Sequence, residues 1–190
     1  MSFNIEVQAG TTARLLVGGK YCDRDIVVTA TGGTFDGIYV NDRVTSLSND
    51  VFRDCAWLKG ISCDNISSIG PNAFDSSGVT FAELPKLKEV SGYAFRYSQL
   101  ERINAPSVTN IYTQAFYECR KLSTVILGAD NMVNLLFVNA FDKTPIADGT
   151  GYIYVPSALV ESYKADSSWS TYKDQIRAIE DHPEICGAEN

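Results

Sequence analysis

Ile103-Asn-Ala-Pro-Ser-Val-Thr-Asn-Ile-Tyr-Thr-Gln-Ala-Phe-Tyr-Glu-Cys-Arg-Lys-Leu122 is the stretch on which the fold of this 190-residue chain turns. Its Ala-Phe pair recurs at Ala73-Phe74, Ala94-Phe95, Ala115-Phe116 and Ala140-Phe141, and as Val51-Phe52, with the phenylalanines 22, 21, 21 and 25 residues apart. Five residues before each Phe stands an aliphatic (Leu47, Ile69, Val90, Ile111, Leu136), and three after it a small side chain (Cys55, Ser77, Ser98, Cys119, Thr144). A further apolar residue follows at Leu58, Val79, Leu100, Leu122 and Ile146, then an aliphatic at Ile61, Leu84, Ile103, Val125 and Ile153. A unit this short cannot bury its own apolar edge. Stacking the units aligns every column, so the pattern predicts a solenoid whose structural spine is Phe52, Phe74, Phe95, Phe116 and Phe141. Thr124-Val-Ile-Leu127 reads as one strand per unit and Ser107–Ile111 as a second extended piece, with the Ala-Phe corner a short helical or 3₁₀ turn.

The fragment Gly70-Pro-Asn-Ala-Phe74, together with the opening stretch, resembles the BspA-type leucine-rich repeats over about residues 38–156. The first unit departs from that pattern with Val51 for Ala, and the last unit is longer. The resemblance implies a leucine-rich-repeat solenoid of about five units spanning 34–156. It further implies a protein that binds rather than catalyses, as such repeats do in bacterial surface proteins, adhesins and phage proteins.

The two ends do not carry the repeat. In residues 1–33, Phe3, Ile5 and Val7 alternate with polar residues, and Leu15 and Val17 precede Gly18-Gly19 and the run Ile26–Ala30. This reads as a small N-terminal β module for anchoring or oligomerisation, joined through Thr31-Gly-Gly-Thr34 as a linker. Gly19-Lys-Tyr-Cys-Asp-Arg-Asp-Ile-Val-Val-Thr-Ala30 resembles a segment of structural proteins from phages and prophages of Gram-positive hosts. Residues 157–180 read as a helical C-terminal cap: Ser157 as an N-cap, and Trp169, Tyr172, Ile176 and Ile179 at the spacing of one helix face. Residues 181–190 lack periodicity and read as a tail holding an exposed His182. The fold class expected is therefore mostly β with short helices.

Composition narrows the function classes. Sixteen basic against 23 acidic residues give a net charge of −7, which disfavours nucleic acid as a partner. No apolar run reaches the ~18–20 residues a bilayer span needs, so no membrane insertion is expected. Met1-Ser-Phe-Asn-Ile-Glu6 does not look like a secretion signal. Five cysteines, an odd number with no Cys-x-x-Cys, read as free thiols, and Cys55 and Cys119 share one repeat column, which argues for packing. A lone histidine, no Gly-x-Ser-x-Gly elbow and no zinc or calcium spacing leave catalytic residues: none, metal: none, and cofactors: none. Gly18-Gly19-Lys20 lacks the upstream glycine and the following Ser or Thr of a phosphate loop.

Columns that vary between units report the outer surface. Aromatics enter them late in the array, at Tyr93, Tyr97, Tyr112, Tyr117 and Phe137, the candidate ligand- or partner-binding residues. With rungs ~4.8 Å apart, Tyr112 and Phe137 are expected to stack. The function expected is a non-enzymatic phage virion protein, a tail or head fibre or receptor-binding component. Its N-terminal module would join other virion proteins and its repeat would meet a host surface protein or glycan. The alternatives are a bacterial cell-surface adhesin and an intracellular phage protein that inhibits a host factor. Homo-oligomerisation is left open; fibres favour trimers, but no heptad or collagen-like repeat sets one here.

Overall fold

The computed structural model describes residues 15–17, 20–22, 26–31, 34–40 and 45–186, with side chains over 45–185. Strands β1 (Leu15–Val17) and β2 (Lys20–Cys22) pair antiparallel. Strands β3 (Ile26–Thr31) and β4 (Thr34–Val40) form a second antiparallel pair, from Ile26 opposite Val40 to Thr31 opposite Thr34. From there each unit contributes two short strands. In chain order these are β5 (Ser46–Leu47), β6 (Gly60–Ser62), β7 (Ser68–Ile69), β8 (Phe81–Glu83) and β9 (Glu89–Val90). They continue as β10 (Arg102–Asn104), β11 (Asn110–Ile111), β12 (Thr124–Ile126), β13 (Asn134–Leu135), β14 (Tyr152–Val155) and β15 (Ile176–Ala178).

They assemble into two ladders. An eight-stranded sheet runs β3-β4-β6-β8-β10-β12-β14-β15, parallel from β4 onward, and a five-stranded parallel sheet runs β5-β7-β9-β11-β13. The side-chain alternation of a strand puts Ile61, Ala82, Ile103, Val125 and Ile153 in one inward row, all buried and in register. Ala82, not Leu84, thus holds the ladder position in the second unit. Leu84 shares the next buried column with Cys63, Ala105 and Leu127, whose N–H groups each bond the following rung. In the five-stranded sheet the inward row is Leu47, Ile69, Val90, Ile111 and Leu135. Leu135 replaces the expected Leu136 because the last unit carries one more residue between strand and corner.

The five phenylalanines lie between the ladders. Their rings stack with successive centroids 5.3, 4.9, 5.8 and 5.1 Å apart, and none is more than 1% exposed. The preceding Ala73, Ala94, Ala115 and Ala140 are fully buried as well, so the corner has no room for a larger side chain there. The small residues three after each Phe are all buried; Cys119 Sγ donates to the Phe95 carbonyl at 2.9 Å and sits 3.3 Å from Ser98 Oγ. Burial pushes the Cys119 thiol up to about 12, so it is a packing group.

The corner itself is not a 3₁₀ turn in the first four units. It is a pair of tight turns with a left-handed residue two before and two after the Phe: Asp50 and Asp54, Asn72 and Ser76, Tyr93 and Tyr97, Gln114 and Glu118, all at φ between 49° and 62°. Only the fifth corner contains a 3₁₀ turn, Val138–Phe141, which keeps Lys143 left-handed at φ 59°. The left-handed turn aims the N–H along the stack. Asp54, Ser76, Tyr97 and Glu118 donate to the carbonyls of Asp75, Arg96, Tyr117 and Asp142 at 2.8–3.0 Å, and the N–H of each of the first four Phe donates to the next unit's Ala carbonyl at 2.7–2.9 Å.

The C-terminal cap departs from the expected helical hairpin. Ser157–Leu159 is 3₁₀, helix α1 spans Val160–Ala165, and Ser170–Gln175 is again 3₁₀ before β15. Ser157 is no side-chain cap; its N–H donates to Glu180 Oε2 at 2.8 Å. Trp169, Tyr172 and Ile176 are buried as the stripe implied, but Ile176 sits on a strand, because pairing with β14 satisfies a sheet edge that a helix would leave open. Three aromatics stand in for the missing next unit. Tyr163 Oη accepts the Val133 N–H at 2.8 Å, Trp169 Nε1 donates to the Val133 carbonyl at 2.9 Å, and Tyr172 Oη donates to the Val138 carbonyl at 2.5 Å. At the other end, the boundary drawn at residue 33 falls between two paired strands: β3 belongs to the sheet through β4. The alternation at Phe3, Ile5 and Val7 lies outside the described residues.

Two predictions follow from the packing. Phe116→Ala opens a gap in the ring stack between Phe95 and Phe141 and is expected to lower unfolding free energy by ~3–5 kcal/mol in a urea melt. Tyr172→Phe removes the hydroxyl's bond to the Val138 carbonyl and is expected to cost ~0.5–1.5 kcal/mol in the same measurement.

Candidate functional site

The corner face carries the densest group of exposed functional side chains, and the repeat positions it. Asp75, directly after Phe74, is only 1% exposed although charged. One unit later in the same column, Arg96 meets it with two bonds, Nη2 to Oδ2 at 2.7 Å and Nε to Oδ1 at 3.3 Å. One unit earlier, Arg53 Nε lies 3.6 Å from the same carboxylate. Arg–Asp–Arg thus forms a column along the stack. The bond to Asp75 holds the Arg96 guanidinium above its ordinary range.

That anchored guanidinium organises the aromatics. It lies 4.8 Å from the Tyr93 ring and 5.3 Å from the Tyr97 ring. Tyr97 meets Tyr117 of the next unit edge to face, centroids 5.7 Å apart. Lys143 Nζ sits 4.9 Å above the Tyr117 ring and bonds Glu118 Oε1 at 2.7 Å, while Arg120 Nη2 takes Glu118 Oε2 at 2.7 Å. Hydrogen bonds first from Lys143 and then from Arg120 hold the Glu118 carboxyl down to about 2. The result is a continuous surface of Tyr93, Arg96, Tyr97, Tyr117, Lys143 and Glu118 across units three to five.

The sequence-predicted site residues divide. Tyr93, Tyr97 and Tyr117 come together, Tyr97 being 44% exposed and the other two half-buried. Tyr112 and Phe137 do not join them. The register that pairs Ile111 with Leu135 sets Leu136, not Phe137, beside Tyr112, so the expected ring stack gives way to a separate apolar run of Leu136, Phe137 and Val138, each about half exposed. Sequence reasoning missed Asp75, Arg96, Glu118 and Lys143. Their signal was the alternation of Arg53, Asp75 and Arg96 down one column, which reads as scattered charge unless rungs are paired. A small cleft of about 160 Å³ beside Asn134, Asp166 and Trp169 lies at the cap junction, away from this surface. Among the described residues no three His, Cys, Asp or Glu side chains gather as metal ligands, and no helix is long and apolar enough to cross a membrane.

Two of the rings stand on left-handed backbone. That conformation suits Asp and Asn, which fill three of the four matching positions in the first two units, and it costs ~1 kcal/mol for a residue such as Tyr. Unit three therefore gives up some backbone comfort to present Tyr93 and Tyr97.

Repeated coils with parallel ladders, a buried Phe column and a small residue beside each ring place the chain in the leucine-rich-repeat class. It belongs to the BspA-type leucine-rich repeat family, whose profile matches residues 32–148 in six copies. The sheet has a rung to spare over the five Phe corners, since β4 pairs with β6 ahead of the first corner. No curated protein matches the chain. Membership indicates a protein-binding or adhesion module.

The ion pair makes a pH test. Glu118 has its pKa depressed, so the contribution of its pairing to the folded state is complete above the ordinary carboxyl range and fades as pH falls through about 2. A carboxyl NMR titration should show Glu118 with a midpoint near 2, moving up toward 4.5 in Lys143→Ala.

Proposed function

We propose that this leucine-rich-repeat solenoid is a non-enzymatic binding module, and that the corner surface of Tyr93, Arg96, Tyr97 and Tyr117 is where it grips a protein partner or glycan. The observation that carries this reading is the pair of tyrosines held on left-handed backbone around a guanidinium locked to a buried carboxylate. Tyrosine and arginine are enriched at the energetic centres of interfaces, and rings fixed before binding lose little entropy when a partner arrives. Strained backbone that survives at an exposed cluster points to use.

The setting we propose is a phage virion, in which the N-terminal strands join neighbouring virion proteins and the repeat meets the host surface. The support is the likeness of Gly19–Ala30 to phage structural proteins. Display on a bacterial cell surface and inhibition of an intracellular host factor are the competing settings. Mass spectrometry of purified particles separates them, since the proposal requires the chain in the particle.

The binding surface has its own test. Tyr97→Asn places an αL-tolerant residue on the same backbone, so its melting temperature should stay within about 3 °C of the parent, strain relief offsetting the lost ring contacts. Attachment of particles to host cells should fall at least tenfold. Unchanged attachment by Tyr97→Asn together with Tyr117→Ala would remove this surface from the proposal.

A further inference from the structure

The outward face of the eight-stranded sheet holds a second, concealed surface. In register, its residues form two rows: Phe81, Arg102, Thr124 and Tyr152, then Ser62, Glu83, Asn104, Ile126, Tyr154 and Arg177. An outward position on a solenoid sheet is normally wet, and in the second row Ser62 is exposed while Glu83 and Asn104 are half-buried. Yet Ile126 is only 3% exposed and Tyr154 8%.

The segment after β15 lies against this face. Residues 181–186, expected as a loose tail, fold back over this face and finish in a 3₁₀ turn, Pro183–Cys186. The His182 ring meets the Tyr154 ring edge to face, centroids 5.3 Å apart. Arg102 Nη2 donates to the Ile185 carbonyl at 2.7 Å, a bond spanning 83 residues. Burial, and then the nearby Glu184 carboxylate, raise the Tyr154 hydroxyl above its usual range. Beside the strap, Arg177 lies 4.5 Å over the Tyr152 ring.

We propose that this sheet face is a peptide-docking surface, kept closed by residues 181–186, and that its partner is a short acidic peptide bearing one apolar side chain. The strap is the argument for that chemistry. It is such a peptide, with Asp181 and Glu184 preceding Ile185, and it lies against a face that carries Arg102, paired with Glu83, and Arg177. Beyond the bond from the His182 N–H to the Ile179 carbonyl, the contacts among the described residues that hold it are one side-chain bond and one ring contact, the make-up of a segment that opens locally. Tethering raises its effective concentration to the millimolar range, so weak contacts suffice to shut the face in cis. A partner in trans must exceed that. This surface is separate from the corner tyrosines and stands or falls independently of them.

The test uses the full chain and a version with residues 181–190 replaced by a Gly-Ser sequence of equal length. The probe is the synthetic hexapeptide Asp-His-Pro-Glu-Ile-Cys with its thiol blocked, titrated while NMR signals of Arg102, Ile126 and Tyr154 are followed. The replaced chain should show saturable shifts at these three residues, and the parent should bind at least tenfold more weakly. In the replaced chain, Ile126→Thr or Arg102→Gln should abolish the shifts with a melt that shows the fold intact. Equal affinity in parent and replaced chain, no saturable binding by the replaced chain, or a parent whose strap crosslinks to a second copy would each overturn the proposal.

Discussion

The N–H groups that leave the Ala-Phe corners and bond the next coil are the constraint on which the rest of the structure depends. Each strand from β5 to β13 is two or three residues long and cannot hold its neighbour alone. The corner supplies what the strands lack. Phe95, for instance, donates to Ala115 while Tyr93 and Tyr97 on either side donate to Thr113 and Tyr117, so one corner is fastened to the next at three points. Backbone that bonds sideways in this way must turn left-handed twice, and the ring between the two turns is driven inward onto the ring above it. The Phe column follows from the hydrogen bonding as much as from apolar burial.

The same constraint explains where chemistry can be placed. A left-handed residue points its side chain away from the core, so the two turn positions of each of the first four corners are open to any side chain that tolerates the backbone. Asp50, Asp54 and Asn72 tolerate it well; Tyr93 and Tyr97 tolerate it at a cost. The position directly after the Phe is half-sheltered, which is why Asp75 can be buried there once Arg96 and Arg53 reach it from the adjoining units. Surface and core are thus two readings of one corner.

Most of the architecture was legible in the sequence because it repeats. Five Phe corners, their alanines, and the small residues at Cys55, Ser77, Ser98, Cys119 and Thr144 all occupy the columns that spacing assigns them, and all are buried. Legibility failed where the period broke. One added residue before the last corner moved Leu135 into the ladder and pushed Leu136 and Phe137 to the surface, and a count backward from Phe141 has no means of seeing that. It failed again in the cap, where Trp169, Tyr172 and Ile176 keep helical spacing yet Ile176 is recruited by the open edge of β14. The charged part of the site was hidden for a different reason. Asp75 and Arg96 are 21 residues apart and become partners only when coils are laid one above another.

The direction of the corner bonds carries one more consequence. Every one of them runs the same way, donor in the earlier coil and acceptor in the later, so the array has a head and a tail that are not interchangeable. A coil duplicated in the interior meets acceptors ahead and donors behind, and fits. A coil appended after the fifth corner would find Tyr163, Trp169 and Tyr172 already seated on Val133 and Val138. Lineages of such arrays should therefore lengthen and shorten by copying from the middle while the closing aromatics travel unchanged at the end, much as a zip gains teeth anywhere except at its stop.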